Sequence, residues 1–235
     1  SQLGPALDVI KPGRKVALSH TEDFDSCFCQ VKSSFSPLST VRVFDGVYYL
    51  DNVLTEEECS RLCNVADDHK SLSFWSPAGR NDESIRRYRD ADTIEVDGRN
   101  IADSIWRRVQ TAVDESLTIV VDDDEADPNY ERELIGHWDP SALNHDLLFA
   151  RYPSGGAFAP HTDGRAIHDF NTRSFYSVIV FLNTMPVGCG GGTRFYVNDA
   201  VKQLKSEVNE DGKVHWTTDP SLVTATVDAV AGRML

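Results

Sequence analysis

No stretch of this sequence is apolar for long enough to cross a bilayer; the longest strongly apolar run, Val178 to Leu182, has the length of a strand. Basic residues are also scarce. Lys and Arg number 23 against 37 Asp and Glu, a net charge of -14. Lys202 and Lys205 are dispersed among acids, and Arg86-Arg87 are soon followed by Asp90 and Asp92. Without a basic patch to neutralise phosphates, neither nucleic acid nor an anionic membrane is an expected partner. Five cysteines (Cys27, Cys29, Cys59, Cys63 and Cys189) are odd in number and unevenly spaced, so they frame no disulfide scaffold. Cys59 and Cys63 fall four apart on a predicted helix, where two small buried residues are a simpler reading than a zinc knuckle. This usage points to a reducing compartment, which favours the cytoplasm. Ser1 stands where a methionine is expected and no charged-then-apolar leader follows, so the start is expected to have been removed and no address is legible.

The length suits one large domain, and an all-β barrel or sandwich of this size is ordinary. Residues 1–40, rich in Ser, Pro and Gly, read as a loosely ordered leader, and residues 41–235 as the domain. Val41 to Phe44 and Val47 to Leu50 read as strands around an Asp45-Gly46 turn. Thr55-Glu56-Glu57-Glu58 is a capping box. It opens a helix over roughly 56–69 that places Cys59, Leu62, Cys63 and Ala66 on one face. Ser76 to Asp82 reads as a loop and Ile85 to Val96 as extended. Ile101, Ile105, Val109 and Val113 recur every four residues, which predicts a second helix from about Asn100 to Leu117 with one core-facing stripe. Asp122 to Glu125 reads as a solvated acidic loop, and Ile135 to Asn144 as irregular.

Strand signals then follow in series over Asp146–Tyr152, Phe158–Gly164, Phe175–Asn183, Thr193–Val197 and Leu222–Val230. Such a run suggests a small barrel or jelly roll behind an α/β front. Asn198 to Pro220 is polar and without a clear period, which for a loop of that length suggests a lid, a binding loop or disorder.

His161 and Asp163, two residues apart just after the Gly155-Gly156 turn, carry the chemistry. On an extended segment residues i and i+2 share a face. An imidazole nitrogen and a carboxylate oxygen can then meet one ion, as in the arrangement of two His and one carboxylate that holds Fe(II) with open positions. His-x-Asp by itself is common, so its surroundings decide. Arg151-Tyr152 precede it, Ser177 to Asn183 form an apolar strand ending Leu-Asn, and Gly190-Gly191-Gly192-Thr193-Arg194-Phe195 follow. Upstream stand Leu54-Thr55-Glu56-Glu57-Glu58-Cys59, and Trp138 to Asn144 followed by Phe149 to Tyr152.

In combination, from roughly Phe44 to the end, these pieces resemble the 2-oxoglutarate- and Fe(II)-dependent dioxygenases of the prolyl 4-hydroxylase-like group. Gly192 departs from the Glu usual in that group. The resemblance implies an α+β fold with a double-stranded β-helix core, jelly-roll or cupin-like, supported by N-terminal helices. It implies His161 and Asp163 as Fe(II) ligands, Tyr152 and Thr193 as contacts of the cosubstrate 2-oxoglutarate, and ascorbate as a family cofactor. A buried core tyrosine and an ordinary strand threonine are the alternatives at Tyr152 and Thr193. The implied reaction uses oxygen to convert 2-oxoglutarate to succinate and hydroxylates an unactivated C–H bond of a peptide, protein or small molecule. A carboxylate at position 163 favours hydroxylation over halogenation. Arg151 reads as structural and His168 as a loop residue, while His137, His145 and His215 have no supporting pattern.

The group's second His ligand, and the Arg or Lys that holds the far carboxylate of 2-oxoglutarate, follow a strand whose start resembles Ala231 to Leu235. Both are therefore expected beyond Leu235, and the domain is expected to be incomplete at its C-terminus. The 235-residue polypeptide itself is then expected to turn over little or not at all. A non-catalytic jelly-roll binding module and a zinc hydrolase remain the alternatives, the latter without a His-Glu-x-x-His or similar spacing. Substrate selection is expected in Ser76–Asp92 and Asn198–Pro220.

Overall fold

The two short apolar segments flanking Asp45-Gly46 form an antiparallel hairpin of β1 (Thr40–Phe44) and β2 (Val47–Leu50), with Val41 opposite Tyr49. The computed structural model describes residues 38–68, 76–77, 83–113, 117–123, 134–197, 200–210 and 212–235. The leader up to residue 37, with Cys27 and Cys29, lies outside the described residues, as do residues 78–82, the end of the acidic patch and Asn198.

The capping box forms as its sequence requires. Glu58 N donates to Thr55 Oγ1 at 3.1 Å and Thr55 N to Glu58 Oε2 at 2.9 Å, so two otherwise orphaned amides at the start of α1 (Glu56–Asp68) are satisfied. Glu58 is nonetheless fully buried, because Arg108 of α3 (Arg99–Val113) takes both of its oxygens at 2.6 and 2.8 Å. Arg108 Nη1 also donates to the Val53 carbonyl at 2.9 Å, tying the entry of α1 to the middle of α3. A short helix, α2 (Glu83–Tyr88), stands where the sequence suggested extended chain, and the strand begins only at Asp92. The α3 stripe is buried at Ile101, Ile105, Val109 and Val113 as expected.

Strand β4 (Asp92–Asp97) pairs with the two-residue β3 (Ser76–Pro77) on one side and with β7 (Asp146–Arg151) on the other. In the β4–β7 register Ile94 faces Phe149 and Val96 faces Leu147. Those side chains join the α3 stripe, Leu50, Val53, Leu54, Leu62 and Met234 in one cluster. Each fully buried aliphatic side chain of this kind contributes about 1.5–3 kcal/mol, so the β4–β7 ladder and α3 form the platform on which the rest is laid. The short pair β5 (Ile119–Val121) with β6 (Gly136–Trp138) lies in part within the segment read as irregular.

The second half of the chain is built from small antiparallel pairs. β8 (Thr193–Tyr196) pairs with β11 (Val223–Val227) around a bulge, and β9 (Lys205–Val208) with β10 (Val214–Thr217). The segment expected to be a long loop is therefore mostly a hairpin, flanked by 3-10 turns at Ala200–Gln203 and Pro220–Leu222. Phe158–Gly164 is not a ladder strand and makes one bridge, Arg89 to Phe158. Residues 179–181 do pair, with the end of the chain: Ile179 and Leu235 exchange backbone bonds at 2.8 Å, and Phe181 N donates to Arg233 O at 3.0 Å.

Met234 bonds Leu50 on its other side, so residues 232–235 lie between β2 and residues 179–181. Gly232 makes that insertion possible. Its φ is +81°, and a Cβ there would stand 2.1 Å from the Leu54 carbonyl oxygen. Arg233 locks it, bonding Asp51 at 2.7 and 3.2 Å with its guanidinium over the Tyr49 ring. The architecture is mixed α/β with small antiparallel sheets and few helices.

Candidate metal centre

The approach to His161 is set by a turn and by a borrowed ladder. After β7 the chain reverses at Pro153–Gly156, closed by Gly156 N donating to Pro153 O at 2.8 Å. Gly155 has φ +69°, and a Cβ on Gly156 would meet the Asp90 carbonyl oxygen at 2.7 Å, so the turn can pack directly on that backbone. The returning chain pairs with residues 88–90. Asp90 N donates to Ala157 O at 2.9 Å and Ala159 N to Tyr88 O at 2.8 Å. Arg151 is structural, as the sequence suggested: it bonds Asp67 at 2.7 Å and Asp92 at 3.1 Å.

His161 and Asp163 converge. His161 Nε2 lies 3.1 Å from Asp163 Oδ1. The other ring nitrogen, Nδ1, lies 2.7 Å from the carbonyl oxygen of Ala159. A carbonyl only accepts, so Nδ1 carries the proton and donates. In the neutral ring Nε2 then presents a lone pair to a carboxylate oxygen, an arrangement that repels unless a proton or a cation lies between the two atoms. Two donors bound at about 2.1 Å and at right angles on one ion stand about 3.0 Å apart. The spacing therefore fits adjacent ligands of one octahedral centre as well as it fits a protonated ion pair. The donor set, one imidazole and one carboxylate, suits Fe(II), and a carbonyl partner on the second ring nitrogen is the usual way a ligating His is oriented.

The imidazole is further fixed by aromatic packing. It stacks on Phe158 with centroids 3.7 Å apart and planes 19° apart. Tyr88 stands edge-on to Phe158 at 5.5 Å and to His161 at 6.4 Å. Such ring pairs contribute about 0.5–1.5 kcal/mol beyond their burial. Burial, and then the Asp163 carboxylate, push the Tyr88 hydroxyl above its ordinary value, so it stays protonated. The Arg89 guanidinium lies over the Phe158 ring at 4.7 Å, and its buried Nε has no hydrogen-bond partner among the described residues. The side chains of His161 and Asp163 are 28% and 54% exposed, so the pair is reachable from solvent.

The other expected site residues stand apart from this pair. Tyr152 directly follows β7 and is exposed, and Thr193 opens β8 opposite Val227. Neither shares a hydrogen bond, ion pair or ring contact with His161 or Asp163 among the described residues. No group of three or more His, Cys, Asp or Glu able to hold a metal occurs among those residues either. His168 sits in a turn, donating its amide to Thr172 O at 3.0 Å, and His137 faces Asp139 on the surface.

Sequence reasoning missed Tyr88, Arg89 and the Ala159 carbonyl. Tyr88 lies in a segment misread as extended, and a backbone acceptor has no sequence signal at all. Phe158, three residues before His161, was hidden because the expected strand would place it on the opposite face. Instead the chain turns and brings the two rings together. No family model, no curated protein and no solved structure matches this chain.

Proposed function

We propose that His161 and Asp163 are two ligands of a non-haem Fe(II) centre, and that the protein is a 2-oxoglutarate- and oxygen-dependent hydroxylase of the prolyl 4-hydroxylase-like kind, acting on a peptide, protein or small molecule. The observation that carries the reading is the geometry of the pair: Nδ1 is held by Ala159 O at 2.7 Å, and Nε2 faces Asp163 Oδ1 at 3.1 Å, the spacing of adjacent ligands on one ion. The motif resemblance from Phe44 onward supports the reaction class. The long-range antiparallel pairs, β8 with β11 and residues 179–181 with 232–235, support a double-stranded β-helix core.

Bound at this pair, Fe(II) with 2-oxoglutarate would supply the oxidising power for C–H hydroxylation. The protein's own part is orientation. The Ala159 carbonyl sets the imidazole tautomer, Phe158 fixes the ring plane, and the Tyr88 ring buttresses both rings edge-on. Tyr152 and Thr193 are the proposed cosubstrate contacts, and ascorbate the proposed reductant.

Anaerobic addition of Fe(II) and then 2-oxoglutarate tests the reading. A faint visible charge-transfer band is expected for the wild-type protein, and it should be lost in His161→Ala and in Asp163→Ala. Absence of the band from the wild-type protein would overturn the reading. A non-catalytic module, in which the two side chains form a plain ion pair, is favoured by the lack of a third ligand among the described residues. Finding no Fe(II) bound to the wild-type protein would favour that alternative.

A further inference from the structure

The β9–β10 hairpin reaches back to the approach of His161. At its tip Asn209 and Lys213 are tied to each other: Lys213 N donates to Asn209 Oδ1 at 2.8 Å and Asn209 N to Lys213 O at 2.9 Å. From this closed tip two prongs extend. Asn209 Nδ2 donates to Gly155 O at 3.1 Å, while Lys213 Nζ donates to Ser154 O and to Asp90 Oδ2, each at 3.1 Å. One prong thus holds the turn before His161. The other joins that turn to residue 90, the end of the segment against which the His161 strand is paired.

We propose that Lys213 and Asn209 are positioning residues for His161: by fastening the Ser154–Gly155 turn to Asp90, they set where the Ala159 carbonyl lies and hence which imidazole nitrogen stays free. The chain of contacts is continuous. Lys213 holds Asp90, Asp90 N holds Ala157 O, Ala159 N is held by Tyr88 O, and Ala159 O holds His161 Nδ1. The paired segments are short and make one bridge, Arg89 to Phe158; beside it the ring contacts of Tyr88 and Arg89 with Phe158 and the fastened turn hold the register. Each prong is a surface contact and individually weak; their joint action on one turn makes the clip. It also accounts for a hairpin whose first strand, β9, is exposed at every position. Its use in metal binding rests on the reading proposed above, whereas the positioning itself does not.

The test compares the wild-type chain with Lys213→Met, Asn209→Ala and Lys213→Arg by amide hydrogen exchange and by the imidazole nitrogen resonances of His161. Loss of either prong is expected to speed exchange at the Asp90 and Ala159 amides by about five- to thirtyfold, as for losing one or two net hydrogen bonds. The β4–β7 amides should hold their wild-type rates. The two imidazole nitrogen shifts should move toward each other as the tautomers mix, and Lys213→Arg should restore both signals. Unchanged exchange in Lys213→Met and Asn209→Ala overturns the proposal. So does faster exchange with unmoved imidazole shifts, which would make the clip structural only. Neither readout needs metal or turnover, so this result is independent of whether Co(II), added afterwards as a probe, binds the pair.

Discussion

Arg108 of α3 grips both carboxylate oxygens of Glu58, the residue that closes the capping box of α1, at 2.6 and 2.8 Å. The Glu58 side chain thereby caps the start of one helix and docks it to another. The pair is buried, Glu58 fully so, and removing one partner leaves a charge without compensation. Arg108→Met is expected to lower unfolding free energy by about 3–5 kcal/mol, read as a drop in the urea midpoint with an unchanged slope. The double variant Glu58→Gln/Arg108→Met should recover part of that loss.

The same pair gives a pH dependence. Burial would raise the Glu58 carboxyl, but the hydrogen bonds and charge of Arg108, with the Thr55 amide, outweigh it and hold the group below its ordinary value. A carboxyl depressed in the folded state contributes stability above its unfolded value and loses that contribution as pH falls through the folded one. The stability gap between wild type and Glu58→Gln should therefore be widest above about pH 5 and shrink below about pH 4. Urea titrations at stepped pH measure it. A gap that grows on acidification would contradict the assignment.

Much of this framework was legible from the sequence because its determinants are local. The capping box joins Thr55 to Glu58, three residues apart, and the α3 stripe repeats with the helix period. The role of Arg108 was not legible, since its partner lies 50 residues away. The β9–β10 hairpin escaped because β9, Lys-Ser-Glu-Val, shows no apolar alternation and is exposed at every position. Asp211-Gly212 between two short β-prone runs was the available signal. At the site, the two-residue spacing of His161 and Asp163 was visible, and so was the chemistry their residue types allow. Their convergence does not come from a regular strand, however. It comes from the Ala159 carbonyl and the Phe158 ring, which tertiary pairing with residues 88–90 puts in place.

Gly232 carries the insertion of the last residues between β2 and residues 179–181. Gly232→Ala combines a left-handed backbone with a Cβ placed 2.1 Å from the Leu54 carbonyl oxygen, which is backbone and cannot swing aside. The expected cost is at least about 2 kcal/mol. Hydrogen exchange at Leu50, Ile179 and Phe181, whose amides bond to residues 233–235, should quicken with it. Exchange at those three amides equal to wild type would show that the segment is held some other way.

The described cysteines should react in a fixed order. Cys189 is exposed between glycines, while burial and the neighbouring Cys63 push the Cys59 thiol up to about 11. Burial followed by Asp67 raises Cys63 as well. Because the thiolate is the reacting form, a brief exposure to a thiol reagent at pH 8 should label Cys189 before Cys63, with Cys59 labelled only after denaturation. Peptide mapping by mass spectrometry reads the order, and early labelling of Cys59 would contradict the packing of α1.

The central claim concerns two atoms, His161 Nε2 and Asp163 Oδ1. It is tested most directly by titrating the chain with paramagnetic Co(II) while following the imidazole resonances of all seven histidines. The account expects the His161 ring signals to broaden at the lowest Co(II) concentration, Nε2 before Nδ1, and expects Asp163→Ala to abolish that preference. Equal broadening of all the histidines, or first broadening at any ring other than His161, would contradict it.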